Sequence, residues 1–321
     1  MLKYMVAIGT LFLFSLGSSF ETNNMNNFPF AEKWKEVENL INSGKPQSAL
    51  EVVELIYIAA KEENAKPHLL RSIIERHKLS MQVEEIEYAV LIQRMEVEII
   101  QTEDPEVLAL LQSVTASMYG EYLTRNSYRI RERITIGSLS EDVNLWSIKD
   151  LELRGSELMG ASLDLSKIKD ISLEEFNLND GNKLEVNPLN LKPFLLQHGI
   201  YYYQNDITSM TQVKDMSVLT QSVGLLPIKE FLKSKLETDI NHTTRRDNVL
   251  NLYQELLSYY QNQPYIQSKI DINRLQYCEM KFTSISQKIT DLESDFYNAL
   301  RVGMKKSSDP NAEALYGYTL A

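Results

Sequence analysis

The sequence contains a single cysteine, Cys278, in 321 residues. No intramolecular disulfide can form, so the fold has to be stabilised by packing. The stretch around this residue has a helical pattern with no Gly-rich turn and no nearby histidine. We therefore interpret the thiol as a buried core group and not as a nucleophile.

Histidine is almost as scarce, and its spacing excludes a helix-borne metal site. The four histidines are His68, His77, His198 and His242. No two of them stand three or four residues apart, and the sequence has no HExxH motif. We expect each to be an ordinary surface or core residue, and we assign no metal ligand.

Motifs for phosphate binding and for nucleophilic catalysis are also missing. Gly44-Lys45 has neither the upstream glycine nor the Ser or Thr of a phosphate loop. Gly155-Ser156-Glu157 lacks the second glycine of a nucleophile elbow. Adjacent acidic pairs such as Glu62-Glu63 diverge by about 100° on a helix and cannot act on one bond. The sequence therefore predicts no catalytic residue and no cofactor, and so no enzyme.

Positive charge is in deficit. Lys and Arg number 33 against 44 Asp and Glu, which gives a net charge of −11. This balance argues against a nucleic-acid or anionic-lipid partner. The one basic cluster consists of Arg125, Arg129, Arg131 and Arg133. We interpret it as a solvated face.

Long hydrophobic runs are limited to Tyr4–Leu16, which at about thirteen residues is shorter than the roughly twenty that span a bilayer. Lys3 precedes this run, and Gly17-Ser18-Ser19 follows it. Residues 1–19 are therefore predicted to be a signal peptide, and residues 20–30 a flexible leader. No cysteine follows the small residues, which excludes a lipoprotein start. An exported chain without disulfides is typical of a bacterial periplasm or cell surface.

Amphipathic helices are what the sequence does contain, most clearly in residues 34–64. Apolar residues recur at helical spacing on both sides of a turn: Trp34, Val37, Leu40 and Ile41, then Ala49, Val52, Val53, Ile56 and Ala60. Gly44 can end the first helix in the left-handed conformation, and Pro46 suits the first turn of the second. The pattern predicts a helical hairpin that must bury its apolar face against neighbours.

Further helices are predicted to complete an N-terminal array over residues 31–178. One helix starts at Pro67, one covers Val83–Gln101, and one follows Asp104-Pro105. The even spacing of apolar residues in 127–136 suggests a short extended arm. A helix capped by Ser140 is expected to run through Trp146 as far as Met159.

A second helical array is predicted over residues 188–321, after a boundary loop at 179–187 that contains Asn179-Asp180-Gly181-Asn182. The last helix starts after Asp309-Pro310. Residues 313–321 lack the polar outer face that terminal units of helical arrays carry, so we expect the sequence to continue beyond them. The fold class is all-α, with stacked helical hairpins in a tetratricopeptide-like α-solenoid.

The sequence also resembles a known family. The resemblance rests on Trp34, Val37 and Leu40, the stretch Gly44–Val53, Ile56-Tyr57, Ser127–Ile134, Trp146-Ser147, Asn187-Pro188 through Phe194-Leu195 to Tyr202, and Leu252–Leu257. These segments are similar to the N-terminal helical region of alpha-2-macroglobulin-like proteins of Bacteroidetes. Full-length members continue into β-sandwich domains and inhibit peptidases through a bait segment and a Cys-Gly-Glu-Gln thioester. Because Cys278 is followed by Glu279-Met280-Lys281, no thioester residue carries over.

Two functions follow as expectations. The resemblance implies a non-catalytic scaffold at the front of an exported peptidase inhibitor, with a protease or downstream domains of the same chain as partner. The alternative is a free-standing tetratricopeptide-like adaptor that holds an extended peptide in its concave groove. Of Tyr201–Tyr203, one or two rings are expected to pack inward, and an exposed ring could anchor a partner. A glycan-binding lipoprotein is disfavoured by the missing lipidation cysteine and by only two tryptophans.

Overall fold

The computed structural model describes residues 28–83, 87–133, 142–173, 190–204, 223–236, 245–283 and 289–321, with backbone alone at 245–246, 281–283 and 289–293. These residues form twelve α-helices and no β-strand. The first six helices are α1 (Phe30–Asn42), α2 (Pro46–Glu62), α3 (Lys66–Val83), α4 (Tyr88–Gln101), α5 (Pro105–Ile130) and α6 (Ile148–Ser162). The next six are α7 (Leu191–Gln204), α8 (Ile228–Lys233), α9 (Arg245–Tyr259), α10 (Pro264–Thr283), α11 (Ile289–Lys306) and α12 (Pro310–Leu320). The predicted all-α class is confirmed for the described part of the chain.

The hairpin of α1 and α2 forms as its turn residues predict. Gly44 has a φ of +69°, and Pro46 is the first residue of α2. The predicted apolar stripe of α2 is buried, as are Trp34 and Val37 on α1. Leu40 is partly buried, and Ile41 is an exception at 39% exposed.

The extended arm predicted for residues 127–136 is wrong at its start. Ser127–Ile130 form the last turn of α5, and Arg131 and Glu132 lie in a turn. The Ile130 side chain is fully buried. Helical packing of this one residue outweighs the alternating pattern of its neighbours. Residues 134–136 lie outside the described residues.

The helix predicted to start at Ser140 begins later. Asp142 accepts a hydrogen bond from the Asn144 N–H and starts a short 3₁₀ helix, Val143–Leu145. Ser147 then caps α6 in a reciprocal capping box with Asp150. Two orphan N–H groups are satisfied there at once, which explains the later start. Ser140 itself is not among the described residues.

Other helix boundaries agree with the sequence to within a few residues, with one exception. Val83 ends α3, and α4 starts at Tyr88 instead of at Val83. Asp104 and Asp309 cap α5 and α12 with their side chains, each followed by proline, as predicted. The boundary loop at 179–187 lies outside the described residues, so the division into two arrays stays a prediction.

The core is continuous between the N-terminal and C-terminal helices. Its largest cluster of buried apolar side chains includes Ile92 of α4, Tyr119 of α5, Leu158 of α6, Tyr253 of α9 and Leu275 of α10. Smaller clusters lie under α1 and α2 and between α3, α5 and α7. Helix α5 is packed against α4, α6 and α7 and therefore sits at the centre of the fold.

Candidate interaction surface

Cys278 lies in α10 and is fully buried, as predicted. Burial raises the pKa of its thiol to about 12. The thiolate is the nucleophilic form, so this side chain is unreactive near neutral pH. It fills space in the core.

Two histidines, His68 and His77, lie in α3, and His68 contacts α1. Trp34 Nε1–H donates to His68 Nδ1 at 3.1 Å, and the His68 ring stacks on Phe30 with centroids 4.1 Å apart. His77 is buried, with Nδ1 2.6 Å from the Ile73 carbonyl oxygen. The His77 Nε2 atom has no hydrogen-bond partner in the described part of the chain. Burial lowers the pKa of both rings.

His198 of α7 contacts two serines of α5, a cluster that the sequence did not reveal because the residues are far apart in the chain. His198 Nδ1 lies 2.5 Å from Ser113 Oγ, and Nε2 lies 3.2 Å from Ser117 Oγ. Ser113 is fully buried. Ser117 and His198 are partly exposed. We interpret the two contacts as ones that hold α7 against α5. His242 lies outside the described residues.

Gly155 has a packing role in place of the rejected nucleophile elbow. It lies within α6, and a Cβ atom added there would stand 2.6 Å from the Tyr202 Oη atom. The glycine therefore allows the Tyr202 side chain of α7 to approach α6. Tyr202 and Tyr203 are buried, whereas Tyr201 is 41% exposed, so two of the three rings pack inward.

The arginines of the basic cluster, Arg125, Arg129, Arg131 and Arg133, lie at the protein surface. Arg125 pairs with Glu121 one turn earlier, and Arg133 Nη1 donates to the Trp146 carbonyl oxygen at 3.3 Å. Arg129 and Arg131 are exposed. The arrangement agrees with the solvated face expected from the sequence.

Arg274 of α10 is the largest fully buried side chain among the described residues. Its Nε and Nη2 atoms donate to Asp271 Oδ1 at 3.0 and 2.6 Å. Nη1 donates to the Gly224 carbonyl oxygen at 2.6 Å, and Nη2 to that of Leu226 at 2.8 Å. Tyr316 of α12 donates to Asp271 Oδ2 at 2.8 Å. The network joins α10, α12 and the segment before α8, and its donors are used inside the protein.

Helices α2 and α4 lie side by side and run in the same direction. Tyr57 Oη donates to the Glu98 carboxylate at 3.0 and 3.2 Å, and one turn later Lys61 Nζ donates to Gln101 Oε1 at 3.2 Å. The residue numbers of the paired side chains increase together along α2 and α4, so the two helices are parallel.

Helices α4 and α6 are arranged in the same way. Asn144, just before α6, donates to Glu87, just before α4, at 3.0 Å. Arg154 in α6 then binds Glu96 in α4 through two hydrogen bonds of 2.8 and 2.6 Å. Helices α2, α4 and α6 therefore form a row of three parallel neighbours.

Exposed apolar side chains line up across this row. Successive residues of a helix are turned by about 100°. Ile58 follows Tyr57 in α2, so its side chain is rotated about the helix axis in one direction from that of Tyr57. Val97 precedes Glu98 in α4, so its side chain is rotated in the opposite direction from that of Glu98. Because Tyr57 and Glu98 point towards each other, these opposite turns bring Ile58 and Val97 to the same side of the row.

The same reasoning from the Glu96–Arg154 pair places Leu153 on that side, at nearly the same height along the helices. Leu55 and Ile100 are exposed one turn away from Ile58 and Val97 on their own helices, so they flank these side chains. We call the five residues the apolar band: Leu55, Ile58, Val97, Ile100 and Leu153. Each side chain is between 47% and 81% exposed. The sequence does not reveal the band, because apolar periodicity along a helix indicates the face that is buried in the core. The only local signal is that Leu55 and Ile58 fall outside the core stripe of α2.

Neither a membrane span nor a metal cluster is found in the part of the chain that the structure describes. No helix there is long and apolar enough to cross a bilayer. No group of three or more His, Cys, Asp or Glu side chains is placed there to hold a metal ion.

Comparison with known proteins gives no match. No protein-family model matches the chain. No curated protein matches it, and neither does any solved structure. The resemblance drawn from the sequence therefore stays a prediction.

Proposed function

We propose that this chain is a non-catalytic helical scaffold that binds another protein through the apolar band. The observation that carries the proposal is that the exposed apolar residues of the band lie together on neighbouring parallel helices, whose register is set by Tyr57–Glu98 and Arg154–Glu96. Single exposed apolar residues are ordinary on protein surfaces, whereas contiguous apolar patches mark interaction sites.

The proposal includes a tetratricopeptide-like α-solenoid as the architecture. Its support is the repeated pairing of each helix with the next but one. Besides α2, α4 and α6, α1 and α3 are joined by Trp34–His68 and by Glu38–Arg71 at 3.1 Å, again in parallel. Such pairing is expected where successive hairpins stack and bury a continuous core.

We also propose the biological setting that the family resemblance implies. The chain is the helical front of an exported alpha-2-macroglobulin-like peptidase inhibitor, in the periplasm or at the cell surface. The bound protein is then a protease or a downstream domain of the same gene product. The support is the set of matching segments between Trp34 and Leu257, together with the signal-peptide pattern of residues 1–19.

A free-standing adaptor is the second candidate, because the apolar band lies wholly on α2, α4 and α6 and needs no further domain to complete it. Reading the gene in frame past the Ala321 codon separates the two candidates. Macroglobulin-type β-sandwich sequence supports the inhibitor, and an immediate stop codon supports the adaptor.

Photo-crosslinking in the cells that produce the protein tests whether the band binds a protein. Benzoylphenylalanine is placed at Val97, and at Tyr318 as the control, since Tyr318 is 85% exposed on α12 and lies off the band. We expect a discrete protein adduct, identified by mass spectrometry, from position 97 only. Equal adducts at both positions, or none at 97, would refute the proposal.

A further inference from the structure

We infer that the partner is an amphipathic α-helix that carries Lys or Arg beside its apolar stripe. This inference rests on the proposed function and specifies the chemistry of the bound segment. Two observations lead to it: what the band offers to a ligand, and the charges at its edges.

A helix suits the band because the band offers no backbone partner. All five side chains are aliphatic and project from helices whose own backbone groups are already paired. An extended peptide laid on them would bury N–H and C=O groups without partners, which costs free energy. A helix satisfies these groups internally, so it can cover Ile58, Val97 and Leu153 at no such cost.

The charges at the α2 edge call for a basic partner. Glu51 lies one turn before Leu55, and Glu62 lies one turn after Ile58. Both are exposed. The Arg76 guanidinium of α3 forms ion pairs with two carboxylates, that of Glu54 in α2 at 2.6 Å and that of Glu98 in α4 at 3.2 Å.

The α6 edge, by contrast, has no excess of either sign, because exposed Lys149 and Glu157 lie on it together. We therefore expect the Lys or Arg side chains of the bound helix to lie next to α2. A second copy of this chain is a poor occupant, since it would add another net charge of −11 and bring the same glutamates to the same face.

Synthetic helical peptides binding to the full chain test the inference. The first probe is a 16-residue peptide with Leu at helical spacing and Lys beside the Leu stripe. One matched peptide has Glu for every Lys, and another has Ser for every Leu. We expect the Lys peptide to bind, measured by fluorescence anisotropy, and both matched peptides to bind at least about tenfold more weakly, which corresponds to about 1.4 kcal/mol.

Chain variants locate the binding. Ile58→Ser with Val97→Ser should weaken binding of the Lys peptide about tenfold or more, while Tyr318→Ser leaves it unchanged. Glu51→Lys with Glu62→Lys should weaken the Lys peptide about threefold to tenfold and strengthen the Glu peptide, as rim charges do. Glu132→Lys, an exposed change off the band, is the control for net charge. All positions are exposed, so circular dichroism should show the same helix content in every variant.

Equal binding of the Lys and Glu peptides would overturn the inference, as would binding that Ile58→Ser with Val97→Ser does not weaken. Concentration-dependent dimers that this double variant abolishes would show that a second copy covers the band. A crosslinked partner at Val97 without binding of the Lys peptide would refute the inference and leave the proposed function standing. Neither crosslink nor peptide binding would refute both.

Discussion

Arg154 of α6 donates hydrogen bonds to both carboxylate oxygens of Glu96 in α4, with Nε 2.8 Å from Oε1 and Nη2 2.6 Å from Oε2. Tyr119 of α5 donates to the same Oε1 at 2.9 Å. A two-point contact fixes orientation as well as distance. The pair therefore sets the register of α4 against α6, and with it the positions of Val97 and Leu153 in the apolar band.

Arg154→Met should lower the free energy of unfolding by about 1–3 kcal/mol, because hydrogen bonds to a largely buried charged group are lost. Urea unfolding measures the change. Arg125→Met is the matched control. Arg125 pairs with Glu121 on the surface, with its side chain 60% exposed against 30% for Arg154. The control should cost at most about 1 kcal/mol. Equal losses in the two variants would contradict a special role for Arg154.

Arg274→Met should be among the most damaging single substitutions. It leaves Asp271 without its cation and removes the donor from one buried and one partly buried carbonyl oxygen, at a cost of about 3–5 kcal/mol. Urea unfolding followed by circular dichroism measures the loss. Lysine should not rescue the fold, because it cannot reproduce the fork of donors that reaches Asp271, Gly224 and Leu226.

A milder variant keeps this prediction testable if Arg274→Met does not fold. Tyr316→Phe removes only the hydrogen bond to Asp271 Oδ2 and should cost about 1–2 kcal/mol. Arg301→Met, at an exposed position of α11, serves as the neutral control. A Tyr316→Phe variant as stable as the wild type would show that the network contributes little.

Two glycines should respond to alanine with opposite signs. Gly44 has a φ of +69°, and Gly44→Ala should destabilise the protein by about 1–2 kcal/mol although nothing lies within 4 Å of the added Cβ. Gly160 lies within α6 and has equally open space. Gly160→Ala should stabilise by about 0.5–1 kcal/mol. Thermal unfolding of both variants checks the pair, and a change of the same sign in both would be inconsistent with it.

His77 should make stability depend on pH. Burial lowers its pKa in the folded state, where Glu98, Arg76 and Arg94 are also near. The unfolded value is about 6.5, so as the pH falls the unfolded chain takes up the proton first. The contribution to stability is complete above about pH 6.5. It is lost progressively below that, by at most about 1.4 kcal/mol per pH unit.

His77→Leu should therefore flatten the fall in the urea midpoint between about pH 7 and 5. The substitution loses the contact of Nδ1 with the Ile73 carbonyl oxygen, but it also removes a buried Nε2 atom that has no partner in the described part of the chain. The two effects oppose each other, so the cost at neutral pH should be small. Parallel pH curves for the wild type and the variant would assign the dependence to other groups.

Cys278 should report on global unfolding. Because burial raises the pKa of its thiol to about 12, iodoacetamide at pH 8 should not label the native chain within hours. In concentrated urea the same reagent should label one site per chain, since the sequence has no other cysteine. Intact-mass spectrometry measures both. Rapid labelling of the native protein would mean that α10 is not packed as described.

The sequence by itself determined where most helices begin and end. Gly44, Pro46 and the capping aspartates Asp104 and Asp309 act within one helical turn, and their effects are therefore readable from neighbouring residues. The burial of Cys278 followed from the same local periodicity.

Only the tertiary structure decided features that depend on residues distant in the chain. The even spacing after Ser127 favoured a strand, yet the burial of Ile130 keeps the segment helical. Arg274 is buried because its guanidinium binds Asp271 and two carbonyl oxygens that are about 50 residues away in the chain. The apolar band exists because Tyr57–Glu98 and Arg154–Glu96 set three helices in one register. The two residues of the first pair are 41 positions apart in the sequence, and those of the second pair are 58 positions apart. A local sequence pattern cannot predict such pairs, because they stabilise the protein only when the helices pack.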